Sequence, residues 1–256
     1  MIYEISKEEG ISDFYYCNKT QSYEHKLCIH SHLEIIFSLK NKTEVLLSEN
    51  KYTVNEGEMI FIMPYEIHGY SIKNGEAFII ACPPEYFPEY REIFDRKEVE
   101  NPVIGFTNVH RAMISDIEKD NFTDDLKKKA LIYYSLAEII KNCSLKDKDL
   151  FRYDVYRKAV TYISEHYTED ISMENVAKFV GVTSSHLSRV LNSDGKPGFS
   201  ELVNSLRIYA AKRMLERENV SVSEAAFKVG YGSIRNFNRV FKEYFGYNPS
   251  DLKRNE

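Results

Sequence analysis

A pattern near the end of the chain occurs twice, and this repetition constrains the fold more than any other feature of the sequence. Residues 172–191 (SMENVAKFVGVTSSHLSRVL) align with residues 221–241 at an offset of about 49 to 50 positions. Each copy begins with a serine that can cap a helix, has a Val-Gly pair about two turns later, and ends in Arg-Val followed by Leu or Phe. The repetition predicts two copies of one helical unit.

The second copy shows how such a unit should fold. Ser221 and Glu224 have the spacing of a capping box, in which the two side chains satisfy free N–H groups at a helix start. Gly230 falls where the chain must turn, because a residue without Cβ adopts the left-handed conformation at low cost. Ser233 is then expected to cap a second helix. Two short helices around a tight turn are therefore predicted.

The apolar positions of the second helix indicate which side chains face outward. Phe237, Val240 and Phe241 recur at i, i+3 and i+4 spacing and should face the core. The opposite face then carries Arg and Asn side chains, which suit the edges of bases in the major groove. A small helix, a glycine turn and such a helix make a helix-turn-helix, so double-stranded DNA is the predicted partner.

Residues 157–254 resemble the DNA-binding domain of the AraC family of bacterial transcription regulators, most clearly from AAFKVGYGS through NFNRVFKEYFGYNPSDL. The resemblance implies that the second helix of each motif enters one of two successive major-groove segments. The first motif departs from the family's pattern at NSDGKPGF, where the family has a basic stretch. Carried over position by position, the base-reading residues are Ser185, Ser188, Arg189, Arg235, Asn236, Asn238 and Arg239.

The formal net charge of −5 argues at first against a nucleic-acid partner, but the charge is unevenly distributed. Residues 153–256 carry 15 Lys or Arg against 13 Asp or Glu, whereas the preceding residues carry 19 against 26. Because the excess on the DNA-binding part is small, we expect modest nonspecific affinity and a specificity that depends on the local placement of charge.

The sequence also indicates a compartment. No run approaches 18 apolar residues, and MIYEISKEEG is too acidic and polar for a signal peptide, so no membrane partner is expected. The four cysteines form no Cys-x-x-Cys pair. They indicate free thiols in a cytoplasmic protein, without a disulfide framework or a zinc knuckle.

The first 95 or so residues are typical of a small β-sandwich or barrel. SHLEIIFSL, KTEVLLSE, KYTV, EMIFIM and AFIIAC are short, rich in β-branched and aromatic residues, and separated by turn signals. Residues 27–37 (LCIHSHLEIIF) and 54–70 (VNEGEMIFIMPYEIHGY) resemble the two cupin motifs. In the AraC family such a jelly-roll is the sensor, which implies a small-molecule effector.

His30, His32 and Glu34 are predicted to lie on one face of a strand, since side chains alternate with period two. With His68 they could ligate a metal, as in cupin enzymes. The match to the enzymatic pattern is incomplete. If His30 and Glu34 are aligned with the motif, Cys28 stands where its first His should be. If His30 and His32 are aligned instead, Glu34 follows them too closely. We therefore expect no metal, cofactor or catalytic residue, and favour pocket lining over a polar network or a solvent-facing cluster. The predicted ligand-binding residues are His30, His32, Glu34, His68 and Tyr70.

The aromatic content gives one indication of the effector class. The chain has 19 Tyr and 15 Phe but no Trp. A sugar or another small polar ring can use Tyr faces and hydroxyls, although Tyr is also common in ordinary cores. A sugar is therefore one expected effector.

Residues 108–144 are predicted to be helical because apolar residues recur at helical spacing. Such a stripe usually belongs to a core, but members of the resembled family pair through helices at this place. We therefore expect a homodimer formed through them. The predicted stripes are Val109, Ala112, Met113 and Ile117, followed by Leu126, Ala130, Tyr133, Leu136, Ala137 and Ile140.

The remaining segments are assigned as connections. Residues 83–106, with four prolines, should be a connecting stretch with one short helix, and the charged residues 144–152 a linker. Residues 199–217 form an uninterrupted helical pattern of roughly 28 Å at about 1.5 Å per residue. Because one turn of B-DNA spans about 34 Å, a helix of this length can set the spacing of two recognition helices.

The predicted fold class is α+β, with two domains. Residues 1–150 should form a cupin-like jelly-roll with helices for dimerisation, and residues 153–256 an all-α domain with two helix-turn-helix motifs joined by a long helix. The predicted function is sequence-specific DNA binding controlled by a small molecule. The alternatives are a cupin metalloenzyme with a DNA-binding appendage, and a ligand-independent DNA-binding dimer whose jelly-roll is only a scaffold.

Overall fold

The computed structural model describes residues 4–5, 16–21, 24–48, 50–193, 196, 198–218 and 220–254. These residues form two compact units, one within Glu8–Leu150 and the other within Phe151–Glu256 together with the short strand Glu4–Ile5. None of the helices in the described part of the chain is both long and apolar enough to cross a lipid bilayer.

The unit within Glu8–Leu150 is built on antiparallel sheets. After β1 (Glu4–Ile5), which belongs to the other unit, its strands in chain order are β2 (Tyr16–Gln21), β3 (Glu24–Ile29), β4 (Leu33–Lys40), β5 (Thr43–Leu47), β6 (Asn50–Val54), β7 (Glu58–Ile62), β8 (His68–Ile72), β9 (Glu76–Cys82), β10 (Lys97–Val99), β11 (Val103–Gly105) and β12 (Leu145–Asp147). One sheet has the order β11-β7-β4-β9-β2, another contains β3-β8-β5-β6 in that order, and β10 pairs with β12.

Both faces of the sheet that contains β4 are buried, and the alternation of side chains divides them into two cores. Ile36 faces the space between the sheets and packs with side chains such as Val45 and Ile60. Its neighbours Ile35 and Phe37 point to the other face, where helices cover the sheet. This cupin-like arrangement confirms the predicted β-rich fold with helical cover on one face.

Two long helices cover the sheet, and each begins at a side-chain cap. Shorter helices precede them in the chain. The α2 helix begins after Thr107, whose N–H donates to His110 Nδ1 at 3.0 Å. The α3 helix begins after Asp124, whose side chain accepts from two backbone N–H groups of the first turn. The helices of this unit are the 3₁₀ turns Pro84–Tyr86 and Pro88–Tyr90, then α1 (Arg91–Arg96), α2 (Asn108–Lys119) and α3 (Asp125–Asn142).

The buried faces of α2 and α3 differ from the predicted stripes. In α2 the side chains of His110, Ile114 and Ile117 are buried, whereas Val109 is exposed. Relative to the prediction, the helix is rotated about its axis. The reason is that His110 both joins the N-terminal cap and packs among the buried side chains that face the sheet. In α3 Leu136 is buried as predicted, but Leu126 is 77% exposed. The predicted single stripe therefore mixes two faces of α3.

The stretch predicted as a linker is ordered secondary structure. Residues 145–147 form β12, which pairs with Lys97–Val99 in antiparallel register, and α4 begins at Leu150. The charged side chains that suggested a linker lie at an exposed edge, where Lys97 Nζ contacts Asp147 Oδ1 at 2.7 Å. The connecting stretch 83–106 likewise contains β10 and β11 in addition to its short helices.

The second unit is helical. Its long α7 helix covers 19 residues and lies between the two repeated motifs in the chain. The helices are α4 (Leu150–His166), α5 (Met173–Val180), α6 (Ser184–Leu191), α7 (Phe199–Arg217), α8 (Val222–Lys228) and α9 (Ile234–Phe245), followed by the 3₁₀ helix Pro249–Arg254.

The repeated capping signals form the predicted contacts. Ser221 Oγ accepts from the Glu224 N–H at 3.1 Å, and the Glu224 carboxylate accepts from the Ser221 N–H at 3.2 Å. The first copy uses the same reciprocal arrangement at the start of α5. Gly230 has a φ of 94°, in the left-handed region predicted for the turn. Ser233 occupies the N-cap of α9, but its side chain makes no capping hydrogen bond, so that detail of the prediction was wrong.

Candidate nucleic-acid interface and buried polar cluster

The second helices of the two motifs, α6 and α9, are held by their apolar faces. Leu187 and Leu191 of α6 are fully buried, as are Phe237 and Phe241 of α9. In α9 the two buried aromatic rings also contact each other, with the centroids of Phe237 and Phe241 5.6 Å apart. Burial of one face fixes which side chains point to solvent.

The residues predicted to read bases lie on these outer faces. In α6 Ser185 and Arg189 are exposed and Ser188 is partly buried. In α9 all four of the predicted residues are exposed, namely Arg235, Asn236, Asn238 and Arg239. The two helices therefore each present an arginine one position before a buried valine, in the pattern that the repeat predicts.

Arg239 is already part of a network on α9. Its Nη1 donates to Glu243 Oε2 at 3.1 Å, and its Nη2 donates to Asn236 Oδ1 at 3.0 Å. Both partners lie on the same side of the helix because residues three and four apart are neighbours there. Glu243 was missed by the sequence reasoning, although its i+4 spacing from Arg239 is visible in the sequence. The network orients the guanidinium while leaving it exposed.

Polar contacts to α7 fix the second motif. The Tyr231 hydroxyl, in the turn before α9, donates to Asn204 Oδ1 at 2.9 Å. The Tyr244 hydroxyl, on α9 itself, donates to the Glu201 carbonyl at 3.2 Å. These bonds add to an apolar core shared by α7, α8 and α9. The position of α9 is therefore set by α7.

The second group of predicted residues lies in the other unit and is buried. His30 is not on a strand as expected, because the chain bends between β3 and β4 at residues 30–32. The bend returns His30 to Glu34, with 3.2 Å between His30 Nε2 and Glu34 Oε2. His32 is in the same bend and is only partly buried. The prediction that the two histidines and the glutamate share one strand face was therefore wrong.

His68 and Cys28 complete this polar cluster, which consists of Cys28, His30, Glu34 and His68. Cys28 of β3 is paired with His68 of β8 across the sheet, and Cys28 Sγ lies 3.2 Å from His68 Nε2. The same Nε2 lies 3.3 Å from Glu34 Oε2. On its other side, His68 Nδ1 donates to the Glu66 carbonyl at 2.9 Å. Four side chains from three strands and one turn thus converge on one point.

Burial and neighbouring charges act in opposite directions on this cluster. Burial favours neutral Glu34, but the hydrogen bonds from His30 and His68 outweigh it and hold the pKa of Glu34 well below its usual value. Burial also opposes protonation of His68, yet the Cys28 thiol and the Glu34 carboxylate raise the pKa of His68 above its usual value. The cluster therefore favours a positive charge beside Glu34.

His32 and Tyr70 take part less directly. The His32 ring centroid lies 5.6 Å from that of His30, and burial together with His30 lowers the pKa of His32 to about 4. Tyr70 lies two residues after His68 on the same strand face, but its side chain packs in the apolar core between the sheets. The structure places both near the cluster without including them among its converging atoms.

Comparison with known families matches both units. Residues 14–136 match the AraC-like ligand binding domain, and residues 176–255 match a helix-turn-helix domain. Together the two matches include the polar cluster, the first motif from Val176 onward and the whole second motif.

The relatives of known sequence are HTH-type transcriptional regulators. An uncharacterized HTH-type transcriptional regulator of Staphylococcus aureus is 22% identical over 233 residues, covering 86% of this chain and 31% of the relative. The regulator YpdC of Escherichia coli is 29% identical over 97 residues, covering 38% of this chain and 34% of its own length. The chain therefore spans about a third of the length of these curated relatives.

A solved structure shares the fold. ToxT of Vibrio cholerae, in a crystal structure with bound unsaturated fatty acid, superposes with a TM-score of 0.61. The match covers 95% of this chain and 96% of ToxT at 15% sequence identity. A likeness at this level of identity establishes the two-domain fold.

Proposed function

Because this chain belongs to the AraC family of transcription regulators, we propose that it binds specific sites on double-stranded DNA through α6 and α9, in the cytoplasm, under the control of a small molecule. One observation carries the proposal: two copies of one motif each place an exposed arginine at the same position, Arg189 and Arg239, above a buried apolar face. A packing motif alone would not need this repeated outward placement.

Arginine is the side chain expected to read guanine. Its two parallel N–H donors match the O6 and N7 acceptors in the major groove. Asn236 and Asn238 can pair with adenine, whereas Ser185 and Ser188 of the first motif are short and make weaker base contacts. We therefore assign the larger share of sequence reading to α9 and a supporting share to α6.

The length of α7 supports a site with two half-contacts. A helix of 19 residues is roughly 28 Å long, which approaches the 34 Å or so of one turn of B-DNA. The two recognition helices then reach successive major-groove segments on one face of the DNA, and the bases read by Arg189 and Arg239 should lie about ten base pairs apart.

The experiment is footprinting followed by a base-substitution scan with Arg189→Ala and Arg239→Ala. Each variant should lose about 1–3 kcal/mol on the cognate site and relax preference at one base position. Lys242→Ala is the matched control, because an exposed lysine contacting phosphate should weaken all sequences alike and reduce the salt dependence. A uniform loss of affinity in Arg239→Ala would show that α9 does not read bases.

We place the effector site in the cupin-like unit, next to the polar cluster, where His32 and Tyr70 lie. Buried polar groups that converge next to an apolar interior are typical of small-molecule sites. A thermal-shift screen of chemically distinct compounds, sugars and fatty acids among them, tests this placement, because a ligand that binds only the folded state raises the melting temperature. A hit that is unchanged by both His32→Asn and Tyr70→Phe would place the effector elsewhere.

We also propose a homodimer formed through α3. Leu126, Ala130 and Ala137 are exposed on one side of this helix. With the partly buried Tyr133 and Ile140 they follow alternating steps of four and three residues, the spacing of a helical pairing seam. The opposite side of α3 packs on the sheet. This exposed apolar side supports pairing with a second copy of the chain.

A further inference from the structure

We infer that Cys28, His30, Glu34 and His68 bind one zinc ion inside the cupin-like unit. The sequence argued against a metal because Cys28 interrupts the pattern of ligating histidines. In the folded chain Cys28 instead supplies a fourth donor of a different kind. Zinc binding itself can be measured without DNA. Only the further suggestion that the ion regulates DNA binding rests on the proposed function.

The donor set has the chemistry that zinc prefers. Thiolate, imidazole nitrogen and carboxylate oxygen are its three usual protein ligands, whereas calcium and magnesium prefer oxygen alone. Cys28 and His68 have no exposed surface, and Glu34 is 4% exposed. Within the described residues, Glu34 Oε1 is buried and has no hydrogen-bond partner. Burial of so many polar groups is costly unless an ion or hydrogen bonds compensate.

Three of the separations between donor atoms are close to those around a tetrahedral zinc ion. Zinc bonds of about 2.3 Å to sulfur and 2.0–2.2 Å to nitrogen or oxygen separate the ligand atoms by roughly 3.3–3.6 Å. Three separations in the cluster are 3.2 Å (Cys28 Sγ to His68 Nε2), 3.2 Å (His30 Nε2 to Glu34 Oε2) and 3.3 Å (His68 Nε2 to Glu34 Oε2). Ligand atoms of Cys28, His30 and His68 lie within 4.8 Å of one another. Small side-chain movements are enough to admit the ion.

The environment of His68 prepares it as a ligand. Its Nδ1–H donates to the Glu66 carbonyl, which fixes the ring and leaves Nε2 facing Cys28 Sγ and Glu34 Oε2. Ligating histidines in proteins commonly have this second hydrogen bond to a carbonyl or carboxylate. Three electron-rich atoms that face one another need a proton or a metal ion between them, and the proton can come from the Cys28 thiol or be carried by Nε2.

The charge and the ligand count indicate what the ion does. Zinc held by one thiolate, one carboxylate and two neutral imidazoles forms a neutral group suited to a buried position. Four protein ligands leave no open position for substrate, and closed sites of this kind are structural rather than catalytic. The ion would join β3, the following bend, β4 and β8, so we assign it a role in ordering the sensor and not in an enzymatic reaction.

The experiment uses the full chain without a polyhistidine tag, stripped of metal and then titrated with zinc against a competing chelator. We expect one equivalent to bind. Cobalt substitution should give the near-ultraviolet charge-transfer band of a thiolate–cobalt bond together with the intense visible absorption of tetrahedral cobalt. Failure to bind a full equivalent, or a cobalt spectrum without the thiolate band, overturns the inference.

Variants identify the donors. Cys28→Ser should abolish the thiolate band, and His68→Gln should weaken zinc binding by about tenfold or more, since even changes in residues behind the ligands cost that much. Cys143→Ser and His166→Asn are the matched controls, a thiol and an imidazole away from the converging atoms, and both should keep one equivalent and the band. A band that survives Cys28→Ser, or disappears in Cys143→Ser, contradicts the assignment. Circular dichroism of each stripped variant checks that it is folded.

DNA affinity measured with and without zinc separates the two proposals. A zinc-dependent change in affinity that is absent in Cys28→Ser supports a regulatory ion. Zinc binding with unchanged DNA affinity keeps the site and removes its regulatory role. A chain that binds zinc but no DNA contradicts the proposed function and leaves the metal site standing.

Discussion

The guanidinium of Arg207, on the long helix α7, donates through Nε to the backbone carbonyl of Tyr167 at 2.6 Å. A second donor, Nη2, reaches the Glu169 carbonyl at 2.8 Å. These carbonyls belong to the segment between α4 and α5, just before the first motif. One side chain of the connecting helix thus holds the entry to the first helix-turn-helix, and the ring of Tyr231 before α9 lies 5.6 Å from the same guanidinium.

Replacing Arg207 by Lys should destabilise the helical unit by about 1–3 kcal/mol, because a single ammonium cannot satisfy both carbonyls in the same geometry. Denaturant unfolding followed by helical circular dichroism measures the change. Arg217→Lys, at an exposed position of the last turn of α7, is the control and should stay within about 0.5 kcal/mol. Equal stability of the two variants would show that the Arg207 bonds are not needed.

The two turn glycines should respond differently to alanine. Gly181 and Gly230 both have left-handed φ values, 83° and 94°, and Ala there costs about 1–2 kcal/mol from backbone strain alone. A Cβ at Gly181 meets nothing within 4 Å, but at Gly230 it would lie 2.6 Å from the Thr168 carbonyl oxygen. Gly230→Ala should therefore lose a further ~1 kcal/mol or more. Denaturant unfolding of both variants compares them directly, and an equal loss would contradict the close contact.

Removing the charge of Glu243 should strengthen DNA binding. Glu243→Gln deletes an anion beside the recognition face and weakens its hold on Arg239, so affinity should rise by roughly 0.5–1 kcal/mol on every sequence. Fluorescence anisotropy with cognate and unrelated duplexes measures this effect. Glu216→Gln on α7 is the control. Weaker binding by Glu243→Gln would mean that the carboxylate orients Arg239 in the complex.

Charge on the exposed side of α3 should dissociate the proposed dimer. Leu126→Lys combined with Ala137→Lys places two ammonium groups in an apolar seam, which is unfavourable without partners. Light scattering at micromolar concentration should report a monomer. Asn142→Lys, exposed on the same helix outside the stripe, should leave the dimer intact. Leu136 is unsuitable for this test because it is buried against the sheet, and a chain that is monomeric before any substitution removes the proposal.

His110 should resist protonation. Burial lowers the pKa of His110 to about 4, below the 6.5 or so of an unfolded histidine. The stability gained by keeping the ring neutral is present above pH 6.5 and is lost as the pH falls from about 6.5 towards 4, by at most about 1.4 kcal/mol per pH unit. An NMR titration of the imidazole measures the pKa. His110→Gln keeps an acceptor for the Thr107 N–H, identifies the signal, and should reduce this part of the acid sensitivity. An ordinary pKa for this ring would contradict the buried position.

The helix-turn-helix motifs could be predicted because their signals are local. Ser221 and Glu224 are three residues apart, and Gly230 determines its own turn whatever surrounds it. The apolar spacing of α9 likewise follows from the helical period, so its outward residues could be read from the sequence. The residues that these helices pack against have little influence on where the helices begin and turn.

The buried cluster could not be predicted in the same way. Cys28 and His68 are 40 residues apart, and their contact depends on the pairing of β3 with β8. His30 reaches Glu34 because the chain bends at residues 30–32, and no turn signal in the sequence predicts this bend. In α2 the helical period was correct but its rotation was not, because His110 is both a capping partner and a core residue. Local sequence patterns cannot predict the pairing of distant strands, or that one side chain has two structural roles.

Each helix-turn-helix motif has its own capping box and its own left-handed glycine. The folding signals of one copy are therefore independent of those of the other, and they lie apart from the residues proposed to face DNA. Substitutions on the outer face of α9 can accumulate while α6 keeps its proposed DNA contacts, and the reverse also holds. In evolutionary terms, the proposed function allows one half of a DNA site to change and the protein to follow through substitutions in a single helix.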